Sequence, residues 1–321
     1  MMKLSEVYRF SKRHYQIDAK LAFICRMARF GLLSVPVMIG EFNARKYRKG
    51  EHQVDVMGNK MLLTSQDKGI GTDLLLCRKR EPLICDKFRE VLSKGMVVYD
   101  IGANIGYYAL QEAQLVGDEG HVYAIEPVPE NVERLGKNVA LNQYKNIDIY
   151  NLAMGDLQAN GEIKVSAMSN MASMMDKGYR CYERIIPVKV DTIDHFMQGK
   201  RPPDVIRMDT EGYEVNIIQG MKELLNTNRP LILFIEVHFD ALKEKVISLL
   251  KTLKDVGFKV KWAAHETHPI AQDSWIRPLV NLCEKGMGAS GYINVSIDDL
   301  MTQRRFLSGQ VENLEVIFER K

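Results

Sequence analysis

Residues 98–106, which read VYDIGANIG, constrain the fold of this chain more than any other segment. A short apolar run leads to Asp100, a glycine-rich turn follows, and residues 107–116 then show a helical pattern. A strand that ends in a carboxylate, a tight glycine turn and a helix start are together typical of a site where the backbone approaches a nucleoside closely. The next apolar run ends in Glu126, about twenty residues after the last glycine, where an acid that binds ribose hydroxyls is expected.

Acidic residues end four of the apolar runs. These residues are Asp100, Glu126, Asp209 and Glu236, and helical patterns separate the runs. The alternation predicts an α/β fold in which a parallel sheet carries helices on both faces. The carboxyl ends of parallel strands meet at one edge of the sheet, where ligands bind. We therefore expect these four carboxylates to lie close together.

The predicted strands of this sheet are 96–101, 121–126, 147–151, 205–209 and 231–237. The predicted helices are 84–92, 107–116, 130–141, 214–225 and 241–256. A strand pair is predicted at 53–57 and 60–63, and a hairpin at 161–166 and 186–190. The methionine-rich segment within that hairpin is interpreted as a loop, with a mobile lid that faces the substrate as the alternative. Either 293–297 or 314–319 is expected to supply the last strand.

The glycine turn does not fit a dinucleotide site. Such a site requires Gly-x-Gly-x-x-Gly, and here Asn104 and Tyr107 occupy the second and third glycine positions. The motif present, Asp-x-Gly-x-Asn-x-Gly, is similar to motif I of class I S-adenosylmethionine-dependent methyltransferases. In such a site Asp100 can face the methionine ammonium, and Glu126 can accept both ribose hydroxyls. The alternative is an ordinary glycine turn with Glu126 as a surface acid.

Motifs further along the chain are more specific. Arg-Met-Asp-Thr-Glu-Gly-Tyr-Glu occupies 207–214, Glu-Val-His occupies 236–238, and further matches in order extend over 55–260. On these motifs the chain resembles the FkbM family of methyltransferases. The resemblance implies a Rossmann-like class I methyltransferase sheet, mostly parallel with an antiparallel last strand, and S-adenosylmethionine-dependent methylation of a hydroxyl on a sugar, glycan or secondary metabolite. Arg207 stands where the family often has lysine, and we expect little consequence from this difference.

The resemblance also implies a set of cofactor-binding residues. They are Asp100, Gly102, Asn104, Gly106, Glu126, Asn142, Ala153 and Asp209. For Asn142, a helix-capping role and an adenosine contact are equally open. Ala153 is expected near the adenine edge through its backbone.

Methyl transfer to a neutral alcohol requires an aligned acceptor oxygen and a base that takes its proton. The candidate catalytic residues are Asp209, Glu211, Glu236 and His238. We interpret them first as acid–base and hydroxyl-binding groups. A divalent metal that holds and acidifies the hydroxyl is a second interpretation and is not favoured; a helix cap beside a structural histidine is the third. No metal ligand is assigned, and His-Glu-Thr-His at 265–268 lacks the His-Glu-x-x-His spacing.

The length of 321 residues allows one large α/β domain with a smaller extension. We expect a basic helical extension at 1–50, a strand pair and helix at 51–95, and the cofactor-binding domain at 96–321. The first part carries eleven Lys or Arg against three acids, whereas the net charge of +3 for the whole chain does not by itself indicate nucleic acid. These basic helices are expected to form a cap over the cofactor domain, and peripheral contact with an anionic membrane surface is the alternative.

The apolar stretch 21–40 is not predicted to span a membrane. Arg26 and Arg29 interrupt it, and each costs about 3 kcal/mol at the bilayer centre. The lack of a signal-peptide pattern and the five scattered cysteines favour a cytoplasmic location. A small molecule or glycan with a hydroxyl is the expected partner. An RNA methyltransferase that grips RNA through 1–50 and a non-catalytic scaffold are the alternative functions.

Overall fold

The structure, a computed structural model, describes residues 50–64, 67, 69–166, 169–175, 182–242, 244–265, 291–307 and 313–321. The predicted basic extension, apart from Gly50, lies outside the described residues, as do residues 266–268 of the His-Glu-Thr-His sequence. In the described ranges, no helix is both long enough and apolar enough to cross a membrane.

A mostly parallel sheet dominates the fold. The strands in chain order are β1 (Glu51–Val56), β2 (Asn59–Thr64), β3 (Val97–Ile101), β4 (His121–Ile125), β5 (Ile147–Tyr150), β6 (Ala153–Met154), β7 (Ala159–Ser166), β8 (Tyr182–Asp191), β9 (Val205–Met208), β10 (Leu231–His238), β11 (Lys259–His265), β12 (Gly291–Tyr292) and β13 (Asn313–Arg320). The large sheet has the order β12-β11-β13-β10-β9-β3-β4-β5. The run from β10 to β5 is parallel, and β13 is antiparallel to β10 and β11.

Helices connect these strands. They are α1 (Ile70–Cys77), α2 (Pro82–Val91), α3 (Tyr107–Val116), α4 (Pro129–Asn142), α5 (Ile193–Phe196), α6 (Glu214–Gln219), α7 (Lys222–Asn226), α8 (Phe239–Leu242), α9 (Lys245–Asp255), α10 (Ile297–Thr302) and α11 (Arg304–Leu307). The predicted class is confirmed: this is a Rossmann-like α/β sheet with an antiparallel last strand.

The central strands are buried on both faces, which explains their continuous apolar sequence. Every residue of β3 and β9 is buried. Alternate side chains enter two separate cores, because Tyr99 and Ile206 belong to one apolar cluster while Val98 and Val205 belong to the other. The register pairs Asp100 with the residue at 207 on β9, so the acidic end of β3 lies beside the end of its neighbour.

Two predicted helices are each broken in the structure. The 214–225 helix divides into α6 and α7 at Gly220, where a Cβ would lie 1.9 Å from the carbonyl oxygen of Gly155. The Asp194 carboxylate then accepts bonds from the backbone N–H groups of Glu223 and Leu224 and caps the start of α7. This cap comes from a residue distant in sequence, so periodicity alone did not predict the break. The 241–256 helix similarly divides into α8 and α9.

The two candidates for the last strand are resolved in favour of 314–319, which lies within β13. The alternative, 293–297, is not a strand: Ser296 and Asp299 form a reciprocal capping box that begins α10 at Ile297. The predicted hairpin forms β7 and β8, which join β6 in a separate three-stranded sheet.

Candidate functional site

A cavity of about 830 Å³ opens at the carboxyl ends of β3, β4 and β9. One group of lining residues comes from the glycine turn and from the segments that follow β4 and β5: Gly102, Ala103, Asn104, Glu126 and Ala153. A second group comes from the segment before α2, from α3 and from the turn after β9: Arg80, Glu81, Tyr108, Asp209 and Glu211. The cavity thus joins the predicted cofactor site to part of the predicted catalytic cluster.

The glycines of the turn allow close packing of the protein against itself. Gly102 has φ +86, and a Cβ on it would lie 2.1 Å from the carbonyl oxygen of Asp209. Gly106 has φ +91, and a Cβ there would lie 2.4 Å from Cδ1 of Leu135 on α4. The first glycine lets β3 end close against the end of β9, and the second lets α3 begin against α4.

Glu126 is buried and bound by the backbone. Its Oε2 accepts from Asn104 N (2.8 Å), and its Oε1 accepts from Val128 N (2.9 Å) and Asn131 Nδ2 (3.1 Å). Burial raises the pKa of Glu126 to about 7, although these three hydrogen bonds oppose the shift. An ionised carboxylate has about four lone-pair positions. Oε2, which accepts one of the three bonds, is therefore the oxygen better placed to receive a ligand hydroxyl.

Arg207 is central to the site, contrary to the expectation of little consequence. Its Nη1 donates to Asp100 Oδ1 and its Nη2 donates to Asp209 Oδ2, both at 3.0 Å. The guanidinium carbon lies 4.0 Å from the centre of the Tyr108 ring. Arginine forms this bridge because its planar fork presents several donors at once, whereas lysine is a point charge.

Asp100 lies behind Arg207. Among the described residues, Arg207 lines the cavity and Asp100 does not. Its side chain is fully buried, and Oδ2 has no hydrogen-bond partner in the described part of the chain. Burial raises the pKa of Asp100 even though Arg207 opposes the shift. Its contact with a methionine ammonium remains a prediction.

A second charged group in the cavity wall did not emerge from the sequence. Arg80 Nε donates to Glu81 Oε1 (2.7 Å), and Arg80 Nη1 lies 3.3 Å from Asp73 Oδ2. Tyr108 donates its hydroxyl proton to Glu81 Oε2. Through the Tyr108 ring this group also contacts Arg207. In the sequence this group lies within the range 55–260 that resembles the family, and Tyr108 follows the glycine turn by two residues.

The acidic residues after β9 and the histidine at the end of β10 come together. One ligand atom from each of Asp209, Glu211 and His238 lies within 4.8 Å of the others. His238 Nε2 is 3.4 Å from Glu211 Oε2 and 3.7 Å from Glu236 Oε1. Burial opposes a proton on the ring, but Glu236, Glu211 and Glu214 raise the pKa of His238 well above its ordinary value. Of the four candidates, Asp209 and Glu211 line the cavity.

Glu214 was missed as a site residue. It is fully buried; its Oε1 accepts from Gly212 N (3.0 Å) and Thr210 Oγ1 (3.3 Å) and lies 3.0 Å from His238 Nδ1. It therefore fixes both the turn that presents Glu211 and the orientation of the imidazole. The signal was the last acid of Asp-Thr-Glu-Gly-Tyr-Glu, whose first two acids were selected.

Two predicted residues lie elsewhere. The Asn142 side chain accepts from Lys60 N (2.8 Å) and donates to Lys60 O (2.7 Å), so it holds β2 against the end of α4 rather than lining the cavity. Glu236 accepts a hydrogen bond from Asn313 on β13 and precedes His238 by two positions on β10.

Comparisons with known proteins agree on a methyltransferase. The family model described as the methyltransferase FkbM domain matches residues 100–260. The hexuronic acid methyltransferase AglP of Haloferax volcanii is 28% identical over 169 residues, which are 49% of this chain and 62% of that protein. A protein-L-isoaspartate O-methyltransferase of Methanothrix thermoacetophila is 35% identical over 94 residues, 29% of this chain and 43% of that protein. The chain thus spans less than two thirds of the length of either relative.

Solved structures resemble the chain only distantly. M. jannaschii TYW2 in complex with AdoMet gives a TM-score of 0.39 at 13% identity and covers 85% of this chain and 88% of that one. A precorrin-6y C5,15-methyltransferase from Geobacter metallireducens gives 0.40 at 11% identity, with 74% and 87% covered. The family match extends from Asp100 through the glycine turn, the 209–214 motif and the last parallel strand, β10, to the start of β11. The chain belongs to the family of FkbM methyltransferase domains, which are class I S-adenosylmethionine-dependent methyltransferases.

Proposed function

We propose that this protein transfers a methyl group from S-adenosylmethionine to a hydroxyl oxygen of a sugar, a glycan or a small polyhydroxy metabolite. The observation that carries the proposal is that Asp209 and Glu211 share one cavity with Glu126 and the glycine turn. A carboxylate pair suited to a hydroxyl therefore lies beside a candidate nucleoside site. The named substrate of the relative AglP, a hexuronic acid, is consistent with a carbohydrate acceptor.

The cavity residues fit S-adenosylmethionine in charge and in hydrogen bonding. Carboxylates of Glu81, Glu126, Asp209 and Glu211 line the cavity together with the guanidinium groups of Arg80 and Arg207, so acids outnumber bases. An excess of negative charge favours a cationic ligand. When bound, the cofactor supplies a methyl group on a positively charged sulfur. Glu126 would bind the ribose, and the backbone at 102–104 and at Ala153 would lie against the nucleoside.

The acidic turn after β9 supplies the groups for the acceptor. A hydroxyl must lose its proton as its oxygen forms the new bond to carbon, and a group within hydrogen-bond reach is needed to receive that proton. Asp209 and Glu211 are carboxylates at the cavity wall, and Arg207 and Glu214 hold their turn in place. Arg207 donates a hydrogen bond to Oδ2 of Asp209, and this bond holds the Asp209 carboxylate in place.

The test is cofactor binding followed by methyl transfer. Calorimetric titration of S-adenosylmethionine into the full chain is expected to show micromolar binding, which Glu126→Ala weakens at least tenfold. Glu130→Gln is the matched control, because Glu130 lies four residues away and pairs with Arg184 at the surface. Methyl transfer from labelled cofactor to a panel of sugars and polyols then tests the acceptor class. A folded protein that binds no S-adenosylmethionine would refute the proposal.

A further inference from the structure

The turn after β9 and the end of β10 place three potential metal ligands together. Asp209 and Glu211 offer carboxylate oxygens, His238 offers an imidazole nitrogen, and one atom from each lies within 4.8 Å of the others. Three cis ligands of an ion with bonds of about 2.1 Å are about 3 Å apart. Small rotations of the partly buried Asp209 and Glu211 side chains toward the buried His238 would therefore close the group around a cation.

The histidine is held as metal-binding histidines are held. Its Nδ1 lies 3.0 Å from Oε1 of the fully buried Glu214, so Nε2 is left to face Glu211. A ring nitrogen bonded to a buried carboxylate, with the other nitrogen directed at the ion, is the usual outer arrangement of a metal-binding histidine. Glu214 is not itself one of the three ligands, although it contacts His238. Its other oxygen, Oε2, is buried without a hydrogen-bond partner among the residues that the structure describes.

Charge at this place favours a cation. Four carboxylates, those of Asp209, Glu211, Glu214 and Glu236, surround or approach the His238 ring. The nearby Arg207 bonds both Asp209 and the buried Asp100, so its single positive charge is divided between two carboxylates. Glu214 is buried and the other three are partly buried, and acids in such excess require a counter-charge or protons.

We propose that Asp209, Glu211 and His238 bind one divalent cation of the Mn²⁺ class at the cavity wall. Two hard oxygens and one imidazole suit such an ion better than Ca²⁺, which prefers oxygen alone. Asp209 and Glu211 line the cavity while His238 lies behind them, so the open coordination positions face the acceptor. The ion would then hold an acceptor hydroxyl and lower the pKa of that hydroxyl; its proton would pass to the Glu211 oxygen that does not bind the ion as the methyl group leaves the sulfur for the hydroxyl oxygen. The inference rests on the proposed function and specifies how its acceptor is activated.

The probe is Mn²⁺ alone, added to the full chain after treatment with EDTA. Titration followed by electron paramagnetic resonance is expected to show one tight site per chain and an electron spin-echo coupling to a histidine nitrogen. Glu211→Gln is expected to weaken binding at least tenfold, and His238→Gln to remove the nitrogen coupling. The control is His195→Gln, because His195 forms a comparable pair with Asp191 (2.9 Å) at an exposed position. It is expected to leave the site unchanged.

Each other outcome overturns the inference. Absence of a site in the wild type at millimolar Mn²⁺, or unchanged binding in Glu211→Gln with folding confirmed by circular dichroism, refutes it. A nitrogen coupling that persists in His238→Gln and disappears in His195→Gln places the ion elsewhere. S-adenosylmethionine binding is measured in the same samples. If the cofactor binds and Mn²⁺ does not, only the metal inference fails; if the cofactor does not bind, the proposed function fails as well.

Discussion

Alanine at Gly102 is the sharpest test of how the site is built. A Cβ there would lie 2.1 Å from the carbonyl oxygen of Asp209, and this oxygen belongs to the backbone, so it cannot rotate away. Gly95 is a matched control, because it has φ +87 against +86 for Gly102 and has nothing within 4 Å of its added Cβ. The two substitutions therefore share the backbone strain and differ in the contact.

The expected magnitudes follow from that difference. A side chain in the left-handed region costs about 1–2 kcal/mol of unfolding free energy, and this applies to both variants. The overpacked contact adds about 1–3 kcal/mol for Gly102→Ala alone. We expect Gly95→Ala to lose about 1–2 kcal/mol with unchanged cofactor affinity. Gly102→Ala should lose about 2–5 kcal/mol and, because Asp209 must move, should also bind S-adenosylmethionine at least tenfold more weakly.

Urea unfolding followed by circular dichroism measures the stability, and calorimetry measures cofactor affinity. Equal losses in the two variants would show that the close approach of β3 to β9 is not what requires a glycine. If Gly102→Ala loses cofactor affinity but is as stable as Gly95→Ala, then the ligand, and not the protein backbone, requires a glycine at position 102.

Three further predictions follow from buried charges. The affinity for S-adenosylmethionine should fall up to about tenfold per pH unit below the raised pKa of Glu126, about 7, because the ionised carboxylate accepts the hydrogen bonds of the ribose hydroxyls. Glu126→Gln should bind the cofactor weakly at every pH, and calorimetry from pH 6 to 8 measures both affinities. Arg207→Met should lower the free energy of unfolding by about 3–5 kcal/mol, because Asp100 stays buried without its cation, and Asp100→Asn added to it should recover part of the loss in urea unfolding. Burial raises the pKa of Glu112 well above its ordinary value, so the stability that the protonated group contributes is present below the ordinary value and is lost as the pH rises through the raised one. The thermal stability of Glu112→Gln should therefore fall less than that of the wild type as the pH rises over this interval.

Each of these has an outcome that contradicts it. A pH-independent affinity in the wild type would exclude titration of Glu126 as the controlling event. An Arg207→Met protein as stable as the wild type would mean that the bridge to Asp100 contributes little. Identical profiles of thermal stability against rising pH for the wild type and Glu112→Gln would show that the buried acid is already compensated.

The parallel sheet could be predicted because its strands are short continuous apolar runs, and each run ends where its backbone leaves the core. Residues 97–101 of the predicted strand 96–101 are buried throughout in the structure. The break at Gly220 could not be predicted in the same way. It depends on a cap from Asp194 and on contact with Gly155, and neither residue is near it in sequence.

The residues of the candidate site also fall into those that could be predicted from the sequence and those that depend on distant contacts. Glu126, Asp209 and Glu211 reach the cavity because they follow adjacent parallel strands, which is a consequence of topology. Asn142 ends a helix whose last turn faces β2, and nothing in the sequence gave that direction. Glu214 was within a recognised motif, but its role depends on a histidine contributed by another strand.

Arg207 shows why the two halves of the site depend on each other. The parallel register sets it beside Asp100 on β3, and two residues later the same strand delivers Asp209 to the cavity wall. The one buried guanidinium of Arg207 therefore neutralises two carboxylates, those of Asp100 at the end of β3 and Asp209 after β9. A lysine has one nitrogen and no planar fork, so it would serve these two acids less well. Arg207 thus links Asp100, just before the glycine turn, to Asp209 in the acidic turn after β9, and the two carboxylates share its charge.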